Sequence, residues 1–196
     1  TQQEIDNLSN SELLKKENNI LNETPSIEEN VTLNEITRED ALKSANRIIF
    51  ENEYIKGSIA LVGGVIDDLE LKTYNKFLSS EEKIQLLNPS LTNEAYTFNT
   101  GWATKSNINA PKSNTVWKID GPNRLTPNNP VKIYFENDEQ IRFERIISID
   151  EKYLFNVKQT LINKSAETFK VYPYAIINRK NLPKDLTDFY ILHEGY

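Results

Sequence analysis

Three places in this chain hold residues whose chemistry could be used. His193 stands beside Glu194 in the closing stretch FYILHEGY and is the only histidine among 196 residues. Asp67, Asp68 and Glu70 crowd the apolar run GVIDDLEL. Trp102 in NTGWAT and Trp117 in NTVWK are the two tryptophans. A histidine with a carboxylate suggests acid–base work, and spaced carboxylates suggest glycoside hydrolysis. An exposed indole would offer a stacking platform for a sugar or a peptide.

Geometry weakens the first two readings. In an extended strand adjacent side chains point to opposite faces, so neither His193 with Glu194 nor Asp67 with Asp68 can act as one pair. A serine nucleophile on His193 would need a marked turn such as G-x-S-x-G, and none is present. Asp68 and Glu70 do share a face at roughly 7 Å, but acidic residues on the wet face of a strand are the ordinary case. ENDEQ, residues 136–140, lacks the spaced carboxylates of a calcium loop and has the length of a hairpin turn. Bulky aromatics of a β-protein usually anchor the core with their N–H groups hydrogen-bonded. Trp102 and Trp117 remain the candidate contacts to a cleft ligand or partner.

Composition removes further classes. There is no cysteine, which excludes disulfides, thiolate nucleophiles and cysteine-ligated zinc. A single histidine excludes multi-histidine metal sites. No catalytic, cofactor-binding or metal-ligating residue is therefore assigned. No apolar run approaches the roughly 18 residues of a membrane span. Methionine is absent even at position 1, so the chain is expected to be an excised or processed piece.

The net charge of −6 is unevenly spread. Residues 1–40 hold ten acids against three bases, and all 19 aromatic residues follow Asp40. An acidic stretch without aromatics cannot bury enough apolar surface to offset its ordering entropy. Residues 1–36 are expected to be a flexible acidic linker, and residues 37–196 the folded domain. The near-neutral remainder carries no basic stripe, which argues against nucleic acid as a partner. It also gives no electrostatic attraction to anionic lipid, so this fragment is not expected to bind membranes directly.

The elements that must position these residues are mostly strands. SNSELLKKENNIL and TREDALKSA carry capping signals, with Ser9 and Thr37 as N-caps and Asp40 in the reciprocal position of the second. After Asn46 the pattern is β. Gly63-Gly64 joins two β-prone runs as a tight turn, and simple alternation puts Val65, Asp67 and Leu69 on one face of the second run. VKIYF, IRFERIISI, YLFNVKQTLI and FKVYPYAII follow, separated by short polar clusters, and should be antiparallel neighbours. Pro173 removes a backbone donor and places its strand at an edge or a bulge. Strands apolar on parts of both faces call for two packed sheets: a mainly β, antiparallel β-sandwich with little helix.

Several stretches together resemble a known family. NEYIKGSIALVGGVIDDLELKTY, NTGW, NTVWK, FERIISIDEKYLFNVKQTLIN, VYPYAIINR and FYILHEGY resemble, in order and spacing, the large periplasmic domain of bacterial YidC, the inner-membrane protein insertase. The similarity runs from about Asn52 to Tyr196 and is greatest to alphaproteobacterial versions. It implies a supersandwich related to sugar-binding and mutarotase domains, preceded by a linker that follows a membrane span. It also implies a place on the periplasmic side of the inner membrane, in a protein that inserts and chaperones membrane proteins. Sec translocon accessory proteins and nascent membrane proteins are the implied partners. Mutarotase chemistry uses several histidines, and this chain has one, so the resemblance implies a non-catalytic module. The alternative reading is a carbohydrate- or peptide-binding β-sandwich.

Overall fold

A computed structural model of the chain describes residues 36–181. The helical signal at Ser9, the linker up to residue 35, and FYILHEGY lie outside the described residues.

The first element is α1 (Arg38–Lys43), capped as its sequence demands. The Thr37 hydroxyl oxygen accepts from the Asp40 N–H at 3.2 Å, and its hydroxyl donates to the Asp40 carboxylate at 2.8 Å. Two sheets follow. The first contains β1 (Arg47–Glu51), β2 (Ile55–Ala60), β3 (Val65–Asn75), β4 (Lys83–Leu87), β5 (Tyr96–Ala103), β7 (Arg124–Leu125) and β11 (Tyr172–Arg179). Its order is β11-β5-β3-β2-β1-β7, with β4 taking over from β5 along the far half of β3. The second sheet has the order β10-β9-β8-β6, from β6 (Lys118–Ile119), β8 (Val131–Glu136), β9 (Ile141–Ile149) and β10 (Phe155–Asn163). Pairing is antiparallel except for the two-residue contact of β1 with β7. The fold is the two-sheet β-sandwich that the two-faced apolar strands call for.

The core lies between the sheets. Ile48, Phe50 and Ile59 come from one side, and Ile133, Phe143 and Ile147 from the other, all almost wholly buried. Strand β9 alternates buried and half-buried residues along its whole length. Its buried set is Ile141, Phe143, Arg145, Ile147 and Ile149. One charged residue therefore occupies an interior position.

The chain departs from simple expectation at two points. The β8-β9-β10 meander forms as its short polar turns dictate, but β11 does not continue it. It crosses to the other sheet and pairs with β5, from Tyr172↔Ala103 to Arg179↔Tyr96. Residues 164–171 form no strand and are long enough to span the roughly 10 Å between packed sheets. Among the described residues Pro173 consequently sits on an outer strand, the position in a sheet where proline is tolerated. The second departure is in β3. Its register with β2 jumps from Ile59↔Ile66 to Ser58↔Asp68, which makes Asp67 an extra, bulged residue. Ile66 and Leu69 both enter the core as a result, where strict alternation would have put them on opposite faces.

The turn between β2 and β3 is built on Gly63 and Gly64, at φ +73° and +62°. A Cβ on Gly64 would lie 2.5 Å from Arg145 Nη1 and 3.1 Å from Trp117 Nε1. Backbone strain and overlap therefore act together there. Gly64→Ala should lower unfolding stability by about 2 kcal/mol or more. Urea denaturation checks this; a change below about 0.5 kcal/mol would show that the turn tolerates a side chain.

Candidate functional site

Trp102 on β5 and Trp117 just before β6 both lie in the core, at 6% and 1% exposure. Their rings stack at 6.3 Å and 23°, and Trp102 meets Phe143 edge-on at 5.2 Å. Neither presents a face to solvent. The Trp117 indole N–H has no hydrogen-bond partner among the described residues, unlike the usual buried indole.

The group that explains this arrangement is Arg145. Its guanidinium lies 4.2 Å from the Trp117 ring centroid and 5.6 Å from that of Trp102. Nη1 donates to the carbonyls of Gly64 at 2.8 Å and Gly63 at 3.3 Å, and Nη2 donates to the Thr100 carbonyl. Nε is buried without a partner. No carboxylate pairs with this cation among the described residues; neutral carbonyls and ring faces take that place. Burial pulls its pKa down to about 10, with Tyr174 acting slightly in the other direction. It is charged at neutral pH.

Beside this centre the sandwich is open. Outer strands β11 of one sheet and β10 of the other leave a cleft of about 410 Å³, lined by Phe98, Thr100, Phe155, Val157, Gln159 and residues 173–175. A smaller space of about 10 Å³ adjoins it, sharing Phe98, Thr100 and Val157 with the cleft and reaching Arg145. Gln159 stands directly across from Arg145 in the β9–β10 register. Its side-chain carbonyl oxygen is also buried without a partner. The cleft thus joins apolar walls to two unsatisfied polar atoms.

The acidic residues are committed elsewhere. Asp67 pairs with Arg47, which also donates from Nε to Ser58 Oγ at 2.7 Å. Asp68 accepts from Ser58 Oγ at 2.6 Å and pairs with Arg38 of α1. Glu70 pairs with Lys56 at 3.0 Å. This layer fastens α1 to the first sheet and leaves no carboxylate pair free to flank a glycosidic bond. ENDEQ is a hairpin turn in which Asn137 Oδ1 accepts from the N–H groups of Glu139 and Ile141. Among the described residues no three His, Cys, Asp or Glu side chains converge as a metal site. His193 and Glu194 lie outside the described residues.

The sequence profile of the YidC periplasmic domain matches residues 47–196. The chain belongs to this family. Proteins named membrane protein insertase YidC are its relatives. The one from Pelagibacter ubique (strain HTCC1062) is 44% identical over 186 residues, covering 93% of this chain and 33% of that protein. The Brucella suis biovar 1 protein is 37% identical over 162 residues, covering 82% and 27%. That of Jannaschia sp. (strain CCS1) is 35% identical over 160 residues, covering 80% and 26%. The chain thus spans a third or less of the length of these curated relatives.

Within this YidC periplasmic domain, reading the sequence alone passes over Arg145 and Gln159. A signal for Arg145 exists: it falls in register with Ile141, Phe143, Ile147 and Ile149, where a charge is out of place. Gln159 carries no such mark, because its importance comes from pairing across to Arg145.

Two outcomes follow from this geometry. Trp102 and Trp117 should emit at short wavelength and resist acrylamide until the chain is unfolded; full quenching in the native state would place an indole at the surface. The second concerns Asp67, whose carboxyl burial raises above its usual value even though Arg47 pulls it down. A carboxyl with a raised folded pKa favours the folded state fully below its unfolded value, about 3.9. That contribution is lost as pH rises through the folded value. The stability of the native chain relative to Asp67→Asn should therefore fall as pH rises above about 4 and then level off. Urea titrations across that range would reveal the opposite slope if attraction to Arg47 outweighed burial.

Proposed function

We propose that this domain is a non-catalytic accessory surface of a membrane protein insertase, held on the periplasmic side of the bacterial inner membrane. It meets Sec translocon accessory proteins and segments of nascent membrane proteins while the insertion step itself belongs to membrane-embedded parts of the larger protein. The observation that carries this reading is the family match across residues 47–196. The relatives, named membrane protein insertases, supply the activity proposed for the whole protein.

The chemistry of the site supports a binding role over turnover. The acids that could act as a pair are each held by a cation or hydroxyl. The two indoles enclose a guanidinium, and a guanidinium is neither a base nor a nucleophile at neutral pH. Among the described residues no helix is long and apolar enough to cross a membrane, so attachment is assigned to parts of the larger protein beyond this domain.

Deleting residues 52–180 from the intact insertase is the decisive experiment, with insertion yield of a simple substrate and co-purification of Sec partners measured in one depleted-cell assay. Insertion should remain within about twofold of the intact protein, while partner recovery should fall several-fold. Loss of insertion with the shortened protein still abundant in the membrane would overturn the accessory reading.

A further inference from the structure

We infer that the tip of the β3–β4 hairpin, led by Phe77 and Leu78, dips into the interfacial layer of a phospholipid bilayer and so orients the domain on the membrane. The inference goes beyond the accessory-surface reading and takes from it only the domain's place beside a membrane.

The tip is built to hold apolar side chains in the open. Beyond Leu71, β3 has no strand partner but β4 among the described residues; β2 stops at Ile55↔Leu71, and the last β3–β4 pair is Asn75↔Lys83. Residues 76–82 close the hairpin. The Lys76 N–H donates to the Glu82 carbonyl at 2.8 Å, and the Ser80 N–H to the Phe77 carbonyl at 3.1 Å. The Lys76 ammonium pairs with Glu82 at 3.0 Å, and that of Lys83 donates to Asn75 Oδ1 at 2.7 Å. These bonds leave Phe77 and Leu78 pointing outward, at 55% and 107% exposure. A single exposed apolar residue is ordinary, but these two belong to a set. Exposed Tyr74 stands on the same hairpin, and Tyr153 and Leu154 expose themselves on the β9–β10 turn. The two turns touch: Thr73 Oγ1 and Tyr153 Oη lie 3.3 Å apart, and Tyr74 hydrogen-bonds Tyr153. Asn52 anchors the second turn, donating to the carbonyls of Asp150 at 3.0 Å and Lys152 at 2.8 Å.

The order of these groups selects the partner. Apolar side chains lead, tyrosines follow, and charged residues form a collar behind them. Tyrosine rings favour the headgroup level of a bilayer, and lysine stems reach past apolar surface to keep their ammonium in water. At the rise of a strand Tyr74 stands at most about 10 Å behind Phe77, comparable with the about 5–10 Å to which interfacial apolar groups sink. A rigid protein partner would need a pocket shaped to this convex tip, whereas a fluid interface admits it without one. Residues 72–83 and 150–154 together hold Lys72, Lys76, Lys83 and Lys152 against Glu81, Glu82, Asp150 and Glu151. That balance gives no pull toward anionic lipid, in keeping with the charge of the whole domain. The contact is therefore apolar, and zwitterionic lipid suffices. Two such side chains grip less than one myristoyl chain, itself a marginal anchor. The tip accordingly orients a domain that is already held near the bilayer, where effective concentration makes a weak contact count.

The test uses the full chain, tethered by an N-terminal hexahistidine tag to phosphatidylcholine vesicles that carry a nickel-chelating lipid. The chain has no cysteine, so Ser79→Cys places one nitrobenzoxadiazole label at the tip. Ser113→Cys places one beside Gly63, at the opposite end of β3. The label at position 79 should shift to the blue and be quenched by doxyl-labelled lipid, and the label at position 113 should do neither. Phe77→Ser with Leu78→Ser, checked for folding by circular dichroism, should lower the ratio of inserted to free tip at least tenfold. Ile177→Ser, which removes an equally exposed apolar residue from β11, should change it less than twofold. Adding phosphatidylglycerol should also change it less than twofold. No shift at position 79, equal shifts at both positions, no effect of the double substitution, or insertion only with phosphatidylglycerol would overturn the inference. So would a lipid-free dimer in sedimentation that the double substitution abolishes, which would assign the tip to a second copy of the chain. Failure here with partner loss still seen on deleting residues 52–180 would remove the lipid contact and leave the accessory reading. The reverse pattern would remove that reading and keep the lipid contact.

Discussion

A guanidinium enclosed between two sheets has no water to solvate it, so the surrounding backbone must take that place. Stripping an ion of its hydration costs several kcal/mol even after relaxation, and Arg145 recovers part of that through three carbonyls and two ring faces. Those contacts come from widely separated parts of the chain. The Gly63-Gly64 turn must present its carbonyls inward, which requires left-handed backbone and no side chain at Gly64. Thr100 must lie at the right height on β5. Trp117 must be carried past that turn, and its backbone N–H donates to the Leu61 carbonyl at 2.8 Å while the backbone N–H of Gly63 donates to the Thr115 carbonyl at 2.7 Å. One buried charge thereby sets the relation of β2, β3, β5, β6 and β9.

The outer face of the first sheet handles charge in the opposite way. There Arg47, Asp67, Ser58, Asp68 and Arg38 form a chain of ion pairs and hydrogen bonds in which each cation meets an anion. The Arg47–Asp67 pair is buried, so desolvation offsets much of its attraction, and losing one partner would leave an uncompensated buried charge. The bulge at Asp67 is what makes the chain of contacts possible, since it turns a second carboxylate toward Arg47 without moving Ile66 or Leu69 out of the core. The short helix α1 buries only Ala41, so its position depends chiefly on Arg38. This layer leaves one buried Arg38 nitrogen without a partner among the described residues, whereas the interior centre leaves three such atoms: Arg145 Nε, the Trp117 indole nitrogen and Gln159 Oε1.

Local physics made much of this legible in the sequence. The Thr37 cap, the double-glycine turn, the β8-β9-β10 meander and the outer placement of Pro173 all follow from residues within a few positions of each other. The crossing of β11 does not, because NKSAET resembles a hairpin turn, and only the competition for the free side of β5 sends the strand elsewhere. The bulge at Asp67 was hidden for a similar reason: strand alternation is read within one chain segment, but a bulge is defined by the partner strand. The cleft is least local of all. Its walls come from β5, β10 and β11, residues nearly 80 positions apart, and no spacing rule connects them. Trp102 and Trp117 attract attention by size, yet what they enclose is set by an arginine that hydrophobic alternation alone could have flagged.

The opening between β10 and β11 is best understood as a consequence of that crossing. Had β11 continued the meander, β10 would have gained a neighbour and β5 would have become the outer strand, exposing the backbone beside Trp102. Crossing instead covers β5 and leaves two outer strands on facing sheets. An exposed strand edge invites unwanted pairing, and here the residues that blunt it are unequal. Strand β11 carries Pro173 and ends on Arg179, while β10 places Asn156 and Lys158 outward between the half-buried Phe155, Val157 and Gln159. Outward polarity on β10 disfavours a second sheet stacking on the solvent side. Among the described residues the two outer strands thus leave an opening between the sheets beside Arg145.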